Sequence, residues 1–363
     1  MDMKQYNFDE IIDRKGTDCI KVDLLEERFG NAKLTPLWVA DMDFRTPDFI
    51  VEAIKKRCEH EIFGYNFGSD AYFNSIIEWV NYKHYWEIKK EWLSYIPGIV
   101  KGIAFAVDCF TRPGDKVIIQ PPVYHPFRLV PQMQHRQVVE NPLKLVDGSY
   151  QMDFENLEAV IDKDCKLFIL CSPHNPGGVV WEKETLSKLA EICTHHNILV
   201  ISDEIHAEMV YPQYTHYPFP TVSEAAASCS ITFMAPTKTF NMAGIVSSYA
   251  IIPDKQIRRD FFQFLHAREL DEGTIFAYEA TKAAYTYGAE WLQQMRMYII
   301  DNVNYVIDYL EKEIPEIKTC KPQASFLVWL DCRKLNLSQK ELVSLFQDKA
   351  GLALNDGTMF GKG

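Results

Sequence analysis

The chain opens without the basic start and apolar stretch of a secretory leader, and no uninterrupted apolar run reaches the roughly 18 residues that a bilayer demands. It has no block of lysine or arginine, and its formal net charge is -12. That balance argues against nucleic acid or an anionic membrane as partner. The nine cysteines are scattered, odd in number and contain no C-x-x-C pair. Such spacing fits free thiols in a reducing compartment better than disulfides or a zinc site, so a cytoplasmic protein is expected.

Several catalytic signatures are missing too. No G-x-G-x-x-G follows a strand, which weakens a nicotinamide-dependent dehydrogenase, and no G-x-S-x-G elbow marks a serine hydrolase. "GTMFGKG" (357–363) imitates a phosphate-binding loop, but its glycines are too close and no Ser or Thr follows the lysine. "DEIHAE" (203–208) gathers Asp203, Glu204, His206 and Glu208. In an extended segment these would point to both faces, with no second His or Cys cluster to complete a site, so no metal is expected.

What the chain does contain is an ordinary globular composition, 47% hydrophobic and 24% charged over 363 residues, enough for one large or two moderate domains. Short apolar runs alternate with segments of helical period. The runs are "KVIIQ" (116–120), "KLFILC" (166–171), "ILVIS" (198–202), "SITFM" (230–234) and "SSYAII" (247–252). Near-continuous hydrophobicity of this kind predicts parallel strands buried on both faces. Between two of them, "KETLSKLAEICTHHN" (183–197) places Leu186, Leu189, Ile192 and Cys193 on one helical stripe. The alternation predicts an α/β domain. After about residue 285 the pattern becomes a long helix, the apolar segment 324–332 and another helix, read as a smaller α+β unit. The expected division is 48–284 for the large domain, and 1–47 with 285–363 for the small one.

In open α/β sheets ligands bind outside the carboxyl ends of the strands. Three polar motifs stand there: "SPHNPGG" with Asn175, "ISDEIH" with Asp203 and "APTKTFN" with Lys238. Singly, these are a turn, a helix cap and a solvated lysine. Together, in this order and each after a buried strand, they resemble the fold type I pyridoxal-phosphate enzymes of the class I/II aminotransferase superfamily. Longer stretches, "LWVADMDFRTP" (37–47), "FGYNFGSDAYFNSIIEWV" (63–80), "CSPHNPGGVVW" (171–181), "SDEIHAEM" (202–209) and "APTKTFNMAG" (235–244), are similar to the MalY/PatB-type cystathionine β-lyases. The resemblance runs from about residue 30 to the end of the chain.

The resemblance implies fold type I: a large domain with a mostly parallel seven-stranded sheet, plus a smaller α+β domain. It implies pyridoxal 5'-phosphate as cofactor, a small amino acid as substrate, and Lys238 and Tyr124 as catalytic residues. Lys238 would form a Schiff base with the cofactor's aldehyde and move protons at the substrate's α-carbon. Asp203 would keep the pyridine nitrogen protonated, Asn175 would bond the phenolic oxygen, and Tyr124 would stack on the ring. The amides of Ile99 and Val100, opening a helix after Gly98, would hold the phosphate, with Thr237 adding a hydroxyl. His206 stands where many relatives have a tyrosine that reaches the phenolic oxygen and is expected among the cofactor contacts, with a satisfied buried histidine as the equal alternative. Val246, eight residues after the lysine, stands where aspartate-type enzymes have a phosphate-clamping arginine. Ala40 and Asp41 would line the substrate side.

Tyr65 matches a tyrosine that reaches the phosphate of the neighbouring subunit, which implies a two-fold homodimer with a shared site. The family's carboxylate-binding arginine follows a stretch like "LNDGTMFGKG", so its counterpart is expected just past Gly363 and the C-terminus is read as incomplete. The activity so implied is a carbon–sulfur β-lyase, releasing thiol, pyruvate and ammonia from cystathionine or related cysteine S-conjugates. An aminotransferase of aromatic or sulfur amino acids, and a cofactor-holding regulatory binding protein, remain as alternatives.

Overall fold

The buried apolar runs form one sheet at the centre of the molecule in a computed structural model that describes residues 4–361. Among those residues the main sheet has seven strands: β1 Leu93–Ile96, β2 Lys116–Ile119, β3 Gln137–Glu140, β4 Cys165–Cys171, β5 Leu199–Asp203, β6 Ser230–Met234 and β7 Ser248–Ile251. Their spatial order is β1-β7-β6-β5-β4-β2-β3. The pairs from β6 across to β3 are parallel, and β7 runs antiparallel to both β6 and β1.

"SSYAII" therefore departs from the expected parallel direction. A parallel return needs a crossover of a dozen or more residues, usually helical. The link from β6 to β7 holds only the short turns Pro236–Thr239 and Ala243–Ile245, which are too small to cross the sheet. β1 and β3 carry no long apolar run and escape a reading by hydrophobicity. The apolar segment 324–332 pairs as a strand only at Leu330–Asp331.

Alternation along β4 shows why these strands read as continuous. Phe168 and Leu170 enter one apolar cluster with Leu186 and Leu189 of the helix Lys183–His195. Leu167 and Ile169 enter a second cluster, on the other face, with Ile103 and Val107 of the helix Ile99–Phe110 and Phe261 of the helix Lys255–His266. Each such side chain contributes about 1.5–3 kcal/mol by leaving water. With helices on both faces, the carboxyl ends of the strands are left as the open edge.

The long helix Ala289–Glu313 buries Trp291, Met295, Ile299, Val303 and Ile307, a stripe at four-residue spacing. Far apart in sequence, Thr35–Pro36 pairs in parallel with Leu352–Ala353. Among the described residues no helix is long and apolar enough to cross a membrane.

Candidate active site

Register sets the site. Cys171 at the end of β4 lies opposite Asp203 at the end of β5, and Asp203 lies opposite Phe233 in β6. The chain thus leaves three neighbouring strands at one level, and Asn175, Asp203 and Lys238 all come from that edge.

Lys238 lies in the short turn Pro236–Thr239, started by an extended Ala235 and by Pro236 at its first position. The side chain is half-buried, and its amine donates to the Ala40 carbonyl. Burial pushes its pKa down from the ordinary lysine value, while the charges of Asp41 and Asp203 pull it back up. More of the amine is therefore neutral near pH 7 than in a solvated lysine, which a base or nucleophile requires.

Asp203 is 5% exposed. Its carboxylate accepts the Ile205 N–H at 3.1 Å. Burial raises its pKa to about 7; the Ile205 bond opposes that rise, Glu204 adds to it, and Lys238 lowers it. A carboxyl in this state gains if a cation is brought against it.

Tyr124 is half-buried, and its phenol is pushed up by burial first, then by the charge of Asp203. Its backbone N–H donates to the Asn175 carbonyl at 3.2 Å, tying the two loops together. The Asn175 side-chain amide has no hydrogen-bond partner among the described residues. His206 is 3% exposed, with Nδ1 3.2 Å from the Ser325 hydroxyl. Burial, and then Lys238, drive its pKa down to about 3, so it is neutral at ordinary pH. Thr237 is buried beside the lysine.

The helix Ile99–Phe110 begins at Gly98, whose φ of +102° favours glycine, and no side chain caps it. The leading N–H groups of such a helix lack partners within it and carry partial positive charge. Val246 lies beside this start: a Cβ on Gly98 would come 3.7 Å from its side chain. Val246 holds φ +54°, an outlying backbone conformation for a β-branched residue.

Two expected residues sit differently from the rest. The Asp41 carboxylate is held by the Arg14 guanidinium at 2.9 and 2.7 Å, with Lys21 at 3.5 Å. Burial works against that charge, but the Arg14 fork and Lys21 prevail and lower its pKa. Tyr65 is fully exposed, away from the buried cluster, in a segment that also exposes Ile62, Phe63 and Phe67.

Sequence reasoning missed Arg14, Lys21 and Asn241. Arg14 reaches Asp41 across 27 residues, a distance no local pattern bridges. Asn241 did carry a signal: an asparagine just after the lysine turn, at φ +50°, tolerates the left-handed region and offers a side chain for backbone contacts.

The edge thus brings together a buried carboxyl whose pKa is raised, an uncapped helix start and a lysine whose pKa burial lowers. The aminotransferase class I and II family model matches residues 32–362. The cystathionine beta-lyase PatB of Bacillus subtilis is 42% identical over 98% of this chain and 92% of its own length. Protein MalY of Escherichia coli is 32% identical, again over 98% of this chain and 92% of its own. The solved structure of the PLP-bound C-S lyase from Staphylococcus hominis superposes with a TM-score of 0.91 at 32% identity, covering 99% of this chain and 91% of that one.

Proposed function

Because the chain belongs to the class I and II aminotransferase family, we propose that it is a pyridoxal-phosphate-dependent carbon–sulfur β-lyase acting on cystathionine or related cysteine S-conjugates. The observation that carries this reading is the 42% identity to a cystathionine β-lyase over nearly the whole chain. The site agrees with it in kind.

The residues fit the cofactor. Asp203 would face the ring nitrogen, and a cation there restores the charge that burial takes away. The uncapped helix start at Ile99 and Val100 would take the phosphate, with Thr237 beside it. Tyr124 would cover the ring, and the unpartnered Asn175 amide would donate to its phenolic oxygen. Neutral His206 lines the same interior without adding charge.

When bound, pyridoxal phosphate supplies a covalent link to the substrate amine and an electron sink for the α-carbon. Lys238 then does the proton work. Its neutral amine takes the proton from the α-carbon, and its ammonium form can return a proton where one is needed. Ala40 and Asp41 border the amine, so substrate would enter past them. Overall, cystathionine and water give homocysteine, pyruvate and ammonia, with the C–S bond broken.

The same proposal includes a two-fold homodimer in which Tyr65 completes the partner's site. Its support is the exposed apolar run around Tyr65, a surface that a soluble chain rarely leaves uncovered. The two-unit division, 48–284 against 1–47 with 285–363, draws support from two features. All seven sheet strands fall inside the first unit, and Thr35–Pro36 joins Leu352–Ala353 within the second. The nine cysteines carry no disulfide, in keeping with a cytoplasmic setting.

The test is to incubate the protein with cystathionine, with and without a 2-oxo acid, following thiol and pyruvate. Both should appear without the acceptor; turnover only in its presence makes the protein an aminotransferase and overturns the lyase. Light scattering on the same preparation should give twice the chain mass, whereas a fully active monomer removes the shared site.

A further inference from the structure

A lysine that holds a cofactor must spend part of each turnover as a free amine, and four methylenes leave that amine many positions. Among the described residues the amine's hydrogen-bond partner is the Ala40 carbonyl. The segment carrying that carbonyl, residues 37–47, contains neither helix nor strand, so something other than a ladder must fix it.

Asn241 does so. It follows Lys238 by three residues, and its side chain spends its hydrogen bonds on this segment. The amide oxygen accepts the Met42 N–H at 3.0 Å. The amide nitrogen donates to the carbonyls of Met42 at 2.9 Å and Phe44 at 2.7 Å. The Asn241 carbonyl in turn accepts the Thr46 hydroxyl at 2.7 Å. Four hydrogen bonds thus fasten the lysine turn to a stretch almost 200 residues away in sequence. From the other side, Arg14 and Lys21 hold Asp41. Beside the clasp lies a cleft of about 480 Å³, bordered by Arg14, Asp43, Thr46 and Asn241, into which a released segment could move.

We infer that Asn241 is a positioning residue whose clasp on residues 42–46 keeps the Ala40 carbonyl on the Lys238 amine while that amine is free. The carbonyl takes one N–H, leaving the lone pair unengaged for the substrate's α-proton. Once the proton has been taken, the same carbonyl accepts from the ammonium. A hydrogen bond of this kind favours the protonated amine and tempers the effect of burial. The inference rests on Lys238 being the amine that holds the cofactor.

Asn241 also occupies a left-handed backbone position, and a residue kept only for that would be replaced without loss by glycine. Asn241→Gly therefore separates the two roles. Two readouts are needed: kcat and KM for cystathionine with the loaded protein, and the pH profile of the rate at which pyridoxal phosphate adds to the cofactor-free protein, followed by absorbance. We expect kcat to fall about tenfold with KM within about threefold. The midpoint of the addition profile should move about half a pH unit lower, because the amine has lost its acceptor. Thr46→Val, which removes one of the four bonds, should shift both readouts the same way and less. Wild-type kcat and midpoint in Asn241→Gly overturn the inference; if that variant does not fold, an unmoved midpoint in Thr46→Val does so. A Lys238→Ala protein that still forms a borohydride-stable adduct would instead sink the lysine assignment and leave the clasp's geometry standing.

Discussion

Asp203 and Glu204 are adjacent, both carboxylates and both buried, at 5% and 1% exposure, yet they live in opposite circumstances. Glu204 accepts the Ser202 hydroxyl at 2.8 Å, the Phe219 N–H at 2.8 Å and a bond with His216 at 2.7 Å. Among the described residues the Asp203 carboxylate has the Ile205 N–H alone, and burial pushes its pKa to about 7. Glu208, four residues beyond Glu204, is only half satisfied: Trp79 at 2.9 Å and His84 at 3.1 Å both meet its Oε1, while Oε2 is buried without a partner among the described residues. The rings of His84 and His216 meet edge to face at 5.4 Å, so the two carboxylate–histidine pairs form one buried polar block. A buried charge with its partners in place belongs to the architecture. One whose pKa burial drives up to about 7 marks a candidate site instead. Within a single turn of chain the protein contains both.

The sharpest way to break that contrast is Asp203→Asn. If Asp203 is kept for the cofactor's ring nitrogen, kcat/KM should fall by about 100- to 1,000-fold, while the cofactor-free protein melts no lower than wild type. A variant that loses stability but keeps its turnover number would place Asp203 with Glu204 after all.

Glu204→Gln should give the reverse. It leaves the histidine and two other donors with poorer partners, and should destabilise the protein by about 2–3 kcal/mol in a denaturant titration. Its kcat/KM should stay within about threefold of wild type. A large loss of turnover with unchanged stability would refute the structural role.

A third break in the contrast comes from pH. In the cofactor-free protein Asp203 titrates near 7, against 3.8 ordinarily. The folded chain therefore keeps a proton that the unfolded chain has lost, and this group's share of stability falls as pH rises from about 4 to about 7. Subtracting the melting profile of Asp203→Asn from that of wild type should expose a decline on the order of 4 kcal/mol across that window. A flat difference would mean that burial does not disturb the carboxyl.

Much of this was legible in the sequence, for reasons that also explain the gaps. Strands β2, β4, β5 and β6 were read to within a residue or two, because strands buried on both faces must be apolar throughout. β1 was missed: "LSYI" is short and follows polar residues. The direction of β7 depends on the length of the preceding link, which hydrophobicity does not report. The family likeness read from the five longer stretches agrees with the relatives found, and the α/β class with its mostly parallel seven-stranded sheet holds. That Lys238, Asp203 and Asn175 share one edge of the sheet was legible because each follows a buried strand. The difference between Asp203 and Glu204 was not, since it depends on His216 and Phe219 arriving from elsewhere in the chain.

The pairing of Thr35–Pro36 with Leu352–Ala353 has a consequence for synthesis. These strands are made more than 300 residues apart, and at translation speeds of about 5–20 residues per second the first waits on the order of 15–60 s for its mate. During that interval the segment that carries Ala40 to Lys238 is anchored at only one end. A nascent chain of this protein could finish its central sheet and close the Asn241 clasp on residues 42–46 while Thr35–Pro36 still waits for Leu352–Ala353.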